Sequence, residues 1–188
     1  MPRPTILQTE RLRLRPFQPG DVEDARAYRN DPEFVRFLPH IPFPFTREHA
    51  EAFVATNQAE PWATSPIFAV EFEERVIGNL NFEVQIESSS VMLGYAIGRD
   101  WWGQGLATEA AQAAMTWAAE AFTLRRVWAS TDVRNVRSRR VLEKLGMRQE
   151  RILEADHLGR DGSLIDEVVY ALKVDASPSR SADGSYDS

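Results

Sequence analysis

Two stretches carry residue types and spacings that could hold a ligand. The first is Trp101-Trp102-Gly103-Gln104-Gly105-Leu106-Ala107-Thr108-Glu109, where two glycines follow a strand pattern and directly precede a helical one. Gly103 and Gly105 let the backbone come close to a bound group. The amides of Gln104 to Thr108 at the helix start have no partner inside the helix. Such a terminus attracts anions through backbone dipoles, so a pyrophosphate could be held there without a lysine. The missing Gly-Lys-Ser/Thr ending argues against a P-loop nucleotide hydrolase. An isolated Gly-x-Gly would read as an ordinary tight turn.

The second stretch runs from Thr131 to Met147. Asn135 reads as a helix cap and Gly146 as its stop. Val141, Leu142 and Leu145 form an inward stripe, which leaves Asn135 and Ser138 neighbours at the helix start. Both side chains could face a ligand arm. Without the glycine turn, Asn135 would be a cap only and Ser138 a solvated first-turn residue. His40, His49 and His157 are scattered and the chain has no cysteine, so no metal site is expected.

The elements that must position these stretches follow from periodicity. Glu10 to Phe17 alternates as a half-buried strand. Asp21 reads as the cap of a helix to about Asn30, and Thr46 starts a second helix whose Ala50, Phe53 and Val54 face inward. Between them lies the loop Leu38 to Phe45 (LPHIPFPF), either a substrate entrance or a lid on the core edge. Ile67 to Phe72, Arg75 to Ile86 and Val91 to Ile97 read as an antiparallel meander. A helix follows at Leu106 to Phe122, with Ala110, Ala113, Ala114, Trp117, Ala118 and Ala121 on its inner face. Then come a strand at Arg126 to Thr131, a helix at Asn135 to Leu145, and strands near Arg148 to Leu153 and Ile165 to Lys173. The fold class is mixed α/β (α+β), antiparallel at first, with a strand–helix–strand–helix crossing in the middle.

Composition narrows the function classes. Apolar residues at 43% and charged residues at 27% over 188 residues fit one domain, placed at 1–174, with a disordered tail over 175–188. A net charge of −6 disfavours nonspecific nucleic-acid binding. No signal-type start and no membrane-spanning run is evident, so no membrane partner and a cytoplasmic location are expected.

The residues Gly94-Tyr95-Ala96-Ile97, then WWGQGLATEA, then Asn135-x-x-Ser138 leading into VLEKLGM together resemble the two core motifs of the GNAT acetyltransferases. The branch they resemble is the RimJ/RimL-like one, which contains the ribosomal-protein N-terminal acetyltransferases. The opening TERLRLRPF and the closing Asp166 to Tyr170 fit the same branch, and the likeness spans Thr9 to Lys173. It implies a mostly antiparallel sheet of about seven strands, split like a V, with the pantetheine arm of acetyl-CoA in the gap. It further implies that the backbone of Tyr95, Ala96 and Ile97 pairs with that arm. Gly103, Gln104, Gly105, Leu106, Ala107 and Thr108 would hold the pyrophosphate, Asn135 would contact the co-substrate, and Ser138 would bond the departing thiolate. Trp102 departs from the family's usual Gln or Arg at that turn. Arg137, Arg139 and Arg140 could reach the adenosine 3′-phosphate or form a solvated helix face, and of the three Arg140 is taken as the contact.

An N-acetyltransferase of this kind needs a neutral amine as its substrate, either a peptide N-terminus or a small molecule, and hence a base or a water chain. Candidate carboxylates are Asp156 and Glu83, each of which reads equally as a solvated surface acid. A strand amide near Ala96 or Ile97 could stabilise the carbonyl oxygen. Acetyl-CoA is the expected co-substrate, with no metal. Acceptor specificity is expected in the loops Leu38–Phe45 and Asp156–Ser163, and the chain as a monomer or homodimer. Two other readings stay open, a non-catalytic acyl-CoA sensor and an interaction protein that binds neither.

Overall fold

A computed structural model of the chain describes residues 2–174, so the tail expected over 175–188 lies outside the described residues. Eight strands form one sheet in the order β1-β2-β3-β4-β5-β6-β8-β7. In chain order these are β1 (Leu7–Gln8), β2 (Leu12–Arg15), β3 (Ile67–Phe72), β4 (Arg75–Gln85), β5 (Ser90–Ile97), β6 (Arg126–Asp132), β7 (Arg148–Leu158) and β8 (Leu164–Lys173). The helices are α1 (Val22–Arg29), α2 (Pro32–Val35), α3 (Arg47–Ala59), α4 (Leu106–Phe122) and α5 (Val136–Lys144).

Every neighbouring pair is antiparallel except β5 and β6. That parallel pair holds only where Ser90, Val91 and Met92 face Arg126, Val127 and Trp128. Beyond Met92, β5 continues to Ile97 and β6 to Asp132 without pairing, so the sheet opens into a V. The edge of Leu93 to Ile97 facing β6 is therefore left without a strand partner.

Alternation along β3 divides the core. Phe68 and Val70 pack on one face with Leu80, Phe82 and the α4 alanines, while Ile67 and Ala69 pack on the other with α1 and α3. On α4 the buried face is Ala110, Ala111, Ala114 and Ala118, with Ala113 and Ala121 half-buried at its flank. Small residues there let the helix lie close on the sheet. Trp117 fills the remaining space in edge contacts with Trp62, Phe68 and Phe122.

Several expectations need correction. The extra strand is β1, two residues long and pairing with β2, which itself spans only Leu12–Arg15 of the expected Glu10 to Phe17. Asp21 precedes α1 but makes no side-chain cap bond. Its carboxylate is instead taken by Arg15, with two contacts of 2.8 Å, and by the Gln18 amide. The short α2 was not expected; Asp31 caps it by accepting from the amides of Glu33 and Phe34. Finally, β7 runs on to Leu158 past an irregularity at Leu153/His157, where Ala155 has φ 50°. Asp156 therefore sits on a strand, and the turn is only Gly159–Ser163.

Candidate functional site

The glycine turn stands where β5 hands over to α4. Gly103 and Gly105 have φ of 79° and 81°, a region most side chains avoid. A Cβ would meet nothing within 4 Å at Gly103 and only Arg11 Nη2, at 3.7 Å, at Gly105. The requirement inside the protein is thus one of dihedral angle, and the open side is where a ligand would approach. The turn is clamped from the β1–β2 connection. Arg11 donates through Nε to Glu109 at 2.7 Å and through Nη1 to the Gln104 carbonyl at 3.0 Å, and Thr9 donates to Glu109 at 2.6 Å. Burial would raise the Glu109 carboxyl, yet these donors more than offset it and hold it below the usual range.

Trp102 supplies the turn's other anchor. Its indole N–H donates to the Ile97 carbonyl at 2.6 Å, and its ring lies under the Arg137 guanidinium at 4.7 Å. The Ile97 carbonyl is therefore already committed, which leaves the Tyr95 backbone and the Ile97 amide free to pair with an extended arm, whereas Ala96, opposite Asn79, turns its backbone groups to β4.

On the α5 side, the Asn135 carboxamide oxygen accepts from the Ser138 amide at 3.2 Å, so its cap role is real. Ser138 Oγ lies 2.9 Å and the Ser138 carbonyl 3.1 Å from the Tyr95 hydroxyl, whose one proton goes to either of them. Burial pushes the Tyr95 phenol up to about 12, the Ser138 contact opposing this only in part. It stays protonated at neutral pH.

One cavity of about 380 Å³ is lined by Tyr95, Ala96, Ile97, Gly103, Gly105, Leu106, Ala107, Thr108, Asn135, Ser138 and Arg140 together. Gln104 is not in its lining; its carbonyl faces Arg11 and its side chain reaches the Asp100 carbonyl. Arg137, weighed with Arg140 as a phosphate contact, lines the same cavity, as do Trp102 and Lys144, which were not among the expected contacts. A second cavity of about 810 Å³ meets the first at Tyr95, Ala96, Asn135 and Ser138. Its polar lining includes Arg29, His40, Asn79, Asp132, His157 and Glu167.

Neither expected carboxylate lines either of these two cavities. Glu83 is exposed on β4 opposite Met92, and Asp156 is exposed with its carboxylate 3.5 Å from His157 Nδ1. Glu167 approaches the same Nδ1 at 3.8 Å. These three residues bring ligand atoms within 4.8 Å of one another, and the ion-pair contacts account for the grouping. Asp132 is held low: its burial raises the carboxyl, but the hydrogen bonds from Arg134 outweigh that. His40 is pushed down by burial first and then by Arg29, Arg160 and His157, so it is neutral near pH 7. The Leu38–Phe45 loop is tied to the β7–β8 turn, because Arg160 donates to the carbonyls of Leu38 and Ile41.

Comparison with known proteins agrees with this geometry. Residues 11–148 match the family described as an acetyltransferase (GNAT) domain. The chain is 28% identical over 169 residues to the uncharacterized N-acetyltransferase p20 of Bacillus licheniformis, covering 88% of this chain and 94% of that one. It is 35% identical over 111 residues to the [ribosomal protein uS5]-alanine N-acetyltransferase of Escherichia coli, 57% of each chain. The crystal structure of a GNAT-family acetyltransferase from Bacillus anthracis superimposes with a TM-score of 0.79 at 27% identity, over 90% of this chain and 98% of that one.

Proposed function

The chain belongs to the GNAT acetyltransferase family, and from that membership we propose that it acetylates an α-amine delivered through the second cavity to Tyr95 and Ser138. It is an N-acetyltransferase with acetyl-CoA as co-substrate. The observation that carries the finer reading is the meeting of the two cavities at Tyr95, Ala96 and Ser138. One cavity reaches back to a helix N-terminus, and the other opens between the Leu38–Phe45 loop and β8.

The residues present fit the co-substrate. Unpaired amides at the start of α4 suit a pyrophosphate, and Arg137, Arg140 and Lys144 add positive charge along the same cavity. The unpaired edge of β5, where the amides of Tyr95 and Ile97 face away from β4, offers partners to a pantetheine arm. Acetyl-CoA supplies the acetyl group as a reactive thioester.

The protein's own groups then have distinct tasks. When the Tyr95 hydroxyl gives its proton to Ser138 Oγ, the serine's own proton is left to donate to the leaving sulfur. The Ile97 amide, which faces the open side of the V, donates to the reacting carbonyl and stabilises its developing charge. His157, which lines the acceptor cavity, accepts the ammonium proton through water, with the carboxylates of Asp156 and Glu167 at 3.5 Å and 3.8 Å from its Nδ1. Asp156 thus acts through the imidazole, and Glu83 has no part. In the net step an N–C bond forms, a C–S bond breaks, one ammonium proton leaves by way of His157 before attack, and the proton shed by the nitrogen as the tetrahedral carbon collapses passes to the departing CoA thiolate. An α-amine titrates near 8, so that base need only be weak.

The alanine-specific relative supports an N-terminal α-amine as acceptor. The test is thiol release from acetyl-CoA with N-terminal alanine and serine peptides, free amino acids, polyamines and aminoglycosides. Turnover on α-amines is expected. Turnover confined to polyamines or aminoglycosides overturns the α-amine reading, and tight acetyl-CoA binding with no turnover makes the chain a sensor.

A further inference from the structure

Arg29 is 94% shielded, at 6% relative exposure, yet it has no carboxylate within salt-bridge distance among the described residues. It lies on α1 one position past Tyr28 and lines the acceptor cavity. Its Nη2 donates to Asn79 Oδ1 at 2.8 Å and its Nε to the Tyr28 hydroxyl at 3.3 Å, while Nη1 has no hydrogen-bond partner among the described residues. One face of the guanidinium is covered by the Phe53 ring, with Cζ 3.6 Å from the centroid.

This arrangement lacks a counter-charge. A guanidinium keeps its proton under all ordinary conditions, and removing it from water without an anion is costly. Two neutral hydrogen-bond acceptors and an aromatic face offset only part of that cost. Tyr28 cannot supply the anion, because its burial raises the phenol. Asp21, the nearest buried acid in sequence, is consumed by Arg15. Of the cavity's other charged groups, Asp132 is taken by Arg134, and Glu167 faces His157 Nδ1 at 3.8 Å and lies outside salt-bridge distance of Arg29. His40 is neutral, pushed down by burial and then by Arg29 itself. Arg29 is the cation that this cavity leaves for a ligand.

Resting on the acetyltransferase reading above, we propose that Arg29 binds an anionic group on the acceptor, so that the acceptor is a short amine with a carboxylate close to its reacting nitrogen. The spacing follows from the sheet. Asn79, to which Arg29 is bonded, sits directly opposite Ala96, and Ala96 lines both cavities. Neighbouring strands are about 4.8 Å apart, so the anion and the amine lie only a few bonds from each other. A free amino acid meets that geometry, and so does a peptide whose first or second residue is acidic.

Matched acceptor pairs test this. The probes are L-alanine against L-alaninamide, L-glutamate against L-glutamine, and the peptides Asp-Ala-Phe and Ala-Asp-Phe against their asparagine counterparts. Each is assayed for kcat/KM by thiol release, and the N-acetylated form of each is titrated by calorimetry into the CoA-bound enzyme. The expected result is at least a tenfold preference for the carboxylate member of one series in both readouts. The amino-acid series reports a free carboxylate and the peptide series an acidic side chain. Arg29→Met removes the preference while acetyl-CoA affinity stays within about twofold, and Arg29→Lys restores part of it. Equal values within every pair of the unmodified enzyme, undetectable binding included, overturn the proposal, as does a preference that survives in Arg29→Met. Acetyl-CoA affinity, measured on the same samples, separates the two readings: its loss would overturn the acetyltransferase itself.

Discussion

The Tyr95 hydroxyl sits 2.9 Å from Ser138 Oγ, joining β5 to the first turn of α5 across the open part of the V. The contact gives each residue a fixed orientation at the junction of the two cavities. If the pair presents one hydrogen bond to the leaving sulfur, Ser138→Ala and Tyr95→Phe each lower kcat roughly tenfold, the worth of about 1.4 kcal/mol. The double variant then loses less than the product of the two, since both remove one interaction. Kinetics of the four proteins with acetyl-CoA affinity measured beside them decide it; independent effects that multiply would separate the two roles.

Gly105→Glu places a side chain and a negative charge at the start of α4, where φ is 81°. Acetyl-CoA binding should fall below detection. Gly105→Ala is the control, because it carries the strain of the left-handed conformation, about 1–2 kcal/mol, without the charge. Calorimetry and melting temperature on both variants distinguish strain from repulsion. Unchanged affinity in Gly105→Glu would take the turn out of the binding site.

The parts that were legible in the sequence are those written locally. Ile67 to Phe72 and Leu106 to Phe122 carry their own periodicity, and the structure begins and ends them at those residues. The glycine turn and Asn135-x-x-Ser138 are contiguous, so spacing alone places them at helix starts. What escaped has no local signal. The two-residue β1 exists only through β2, and the outer part of β7 is almost wholly exposed, so nothing alternates there. His157 and Glu167 come together from two strands in a register set by an irregularity at Ala155, which sequence spacing does not reveal. Arg29 did leave a trace. Ala25, Tyr28 and Arg29 share the buried face of α1, which marks an arginine at a core position.

Arg137, Arg140 and Lys144 line the cavity that ends at the pyrophosphate turn, so acetyl-CoA affinity should weaken with salt. As ionic strength rises from about 0.1 M to about 1 M, the screening length falls from about 10 Å to about 3 Å. Arg140→Ala is expected to erase discrimination between CoA and dephospho-CoA if it meets the 3′-phosphate. Arg137→Ala should instead weaken both equally, since Arg137 is stacked on Trp102 at 4.7 Å. Competition titrations of the two ligands into each variant report the difference, and retained discrimination in Arg140→Ala would assign the phosphate elsewhere.

Acid sensitivity should trace to two carboxylates that frame the site. Glu109 is bonded to Thr9 and Arg11 at the foot of α4, and Asp132 to Arg134 at the end of β6. In both, burial raises the carboxyl and the hydrogen bonds reverse it, leaving each below its ordinary value of 4.5 and 3.8 respectively. A carboxyl lowered in the folded state binds protons less readily there than in the unfolded chain. Its contribution is therefore present in full above the ordinary value and fades as pH falls through the lowered one. Between about pH 5 and pH 3, the protein should lose melting temperature more steeply than Glu109→Gln or Asp132→Asn, each of which starts lower at pH 7. Because Arg11 is 41% exposed, added salt should shrink the Glu109 difference at pH 7 more than it alters the core. Parallel acid limbs in all three proteins would mean that neither carboxylate is a source of acid unfolding.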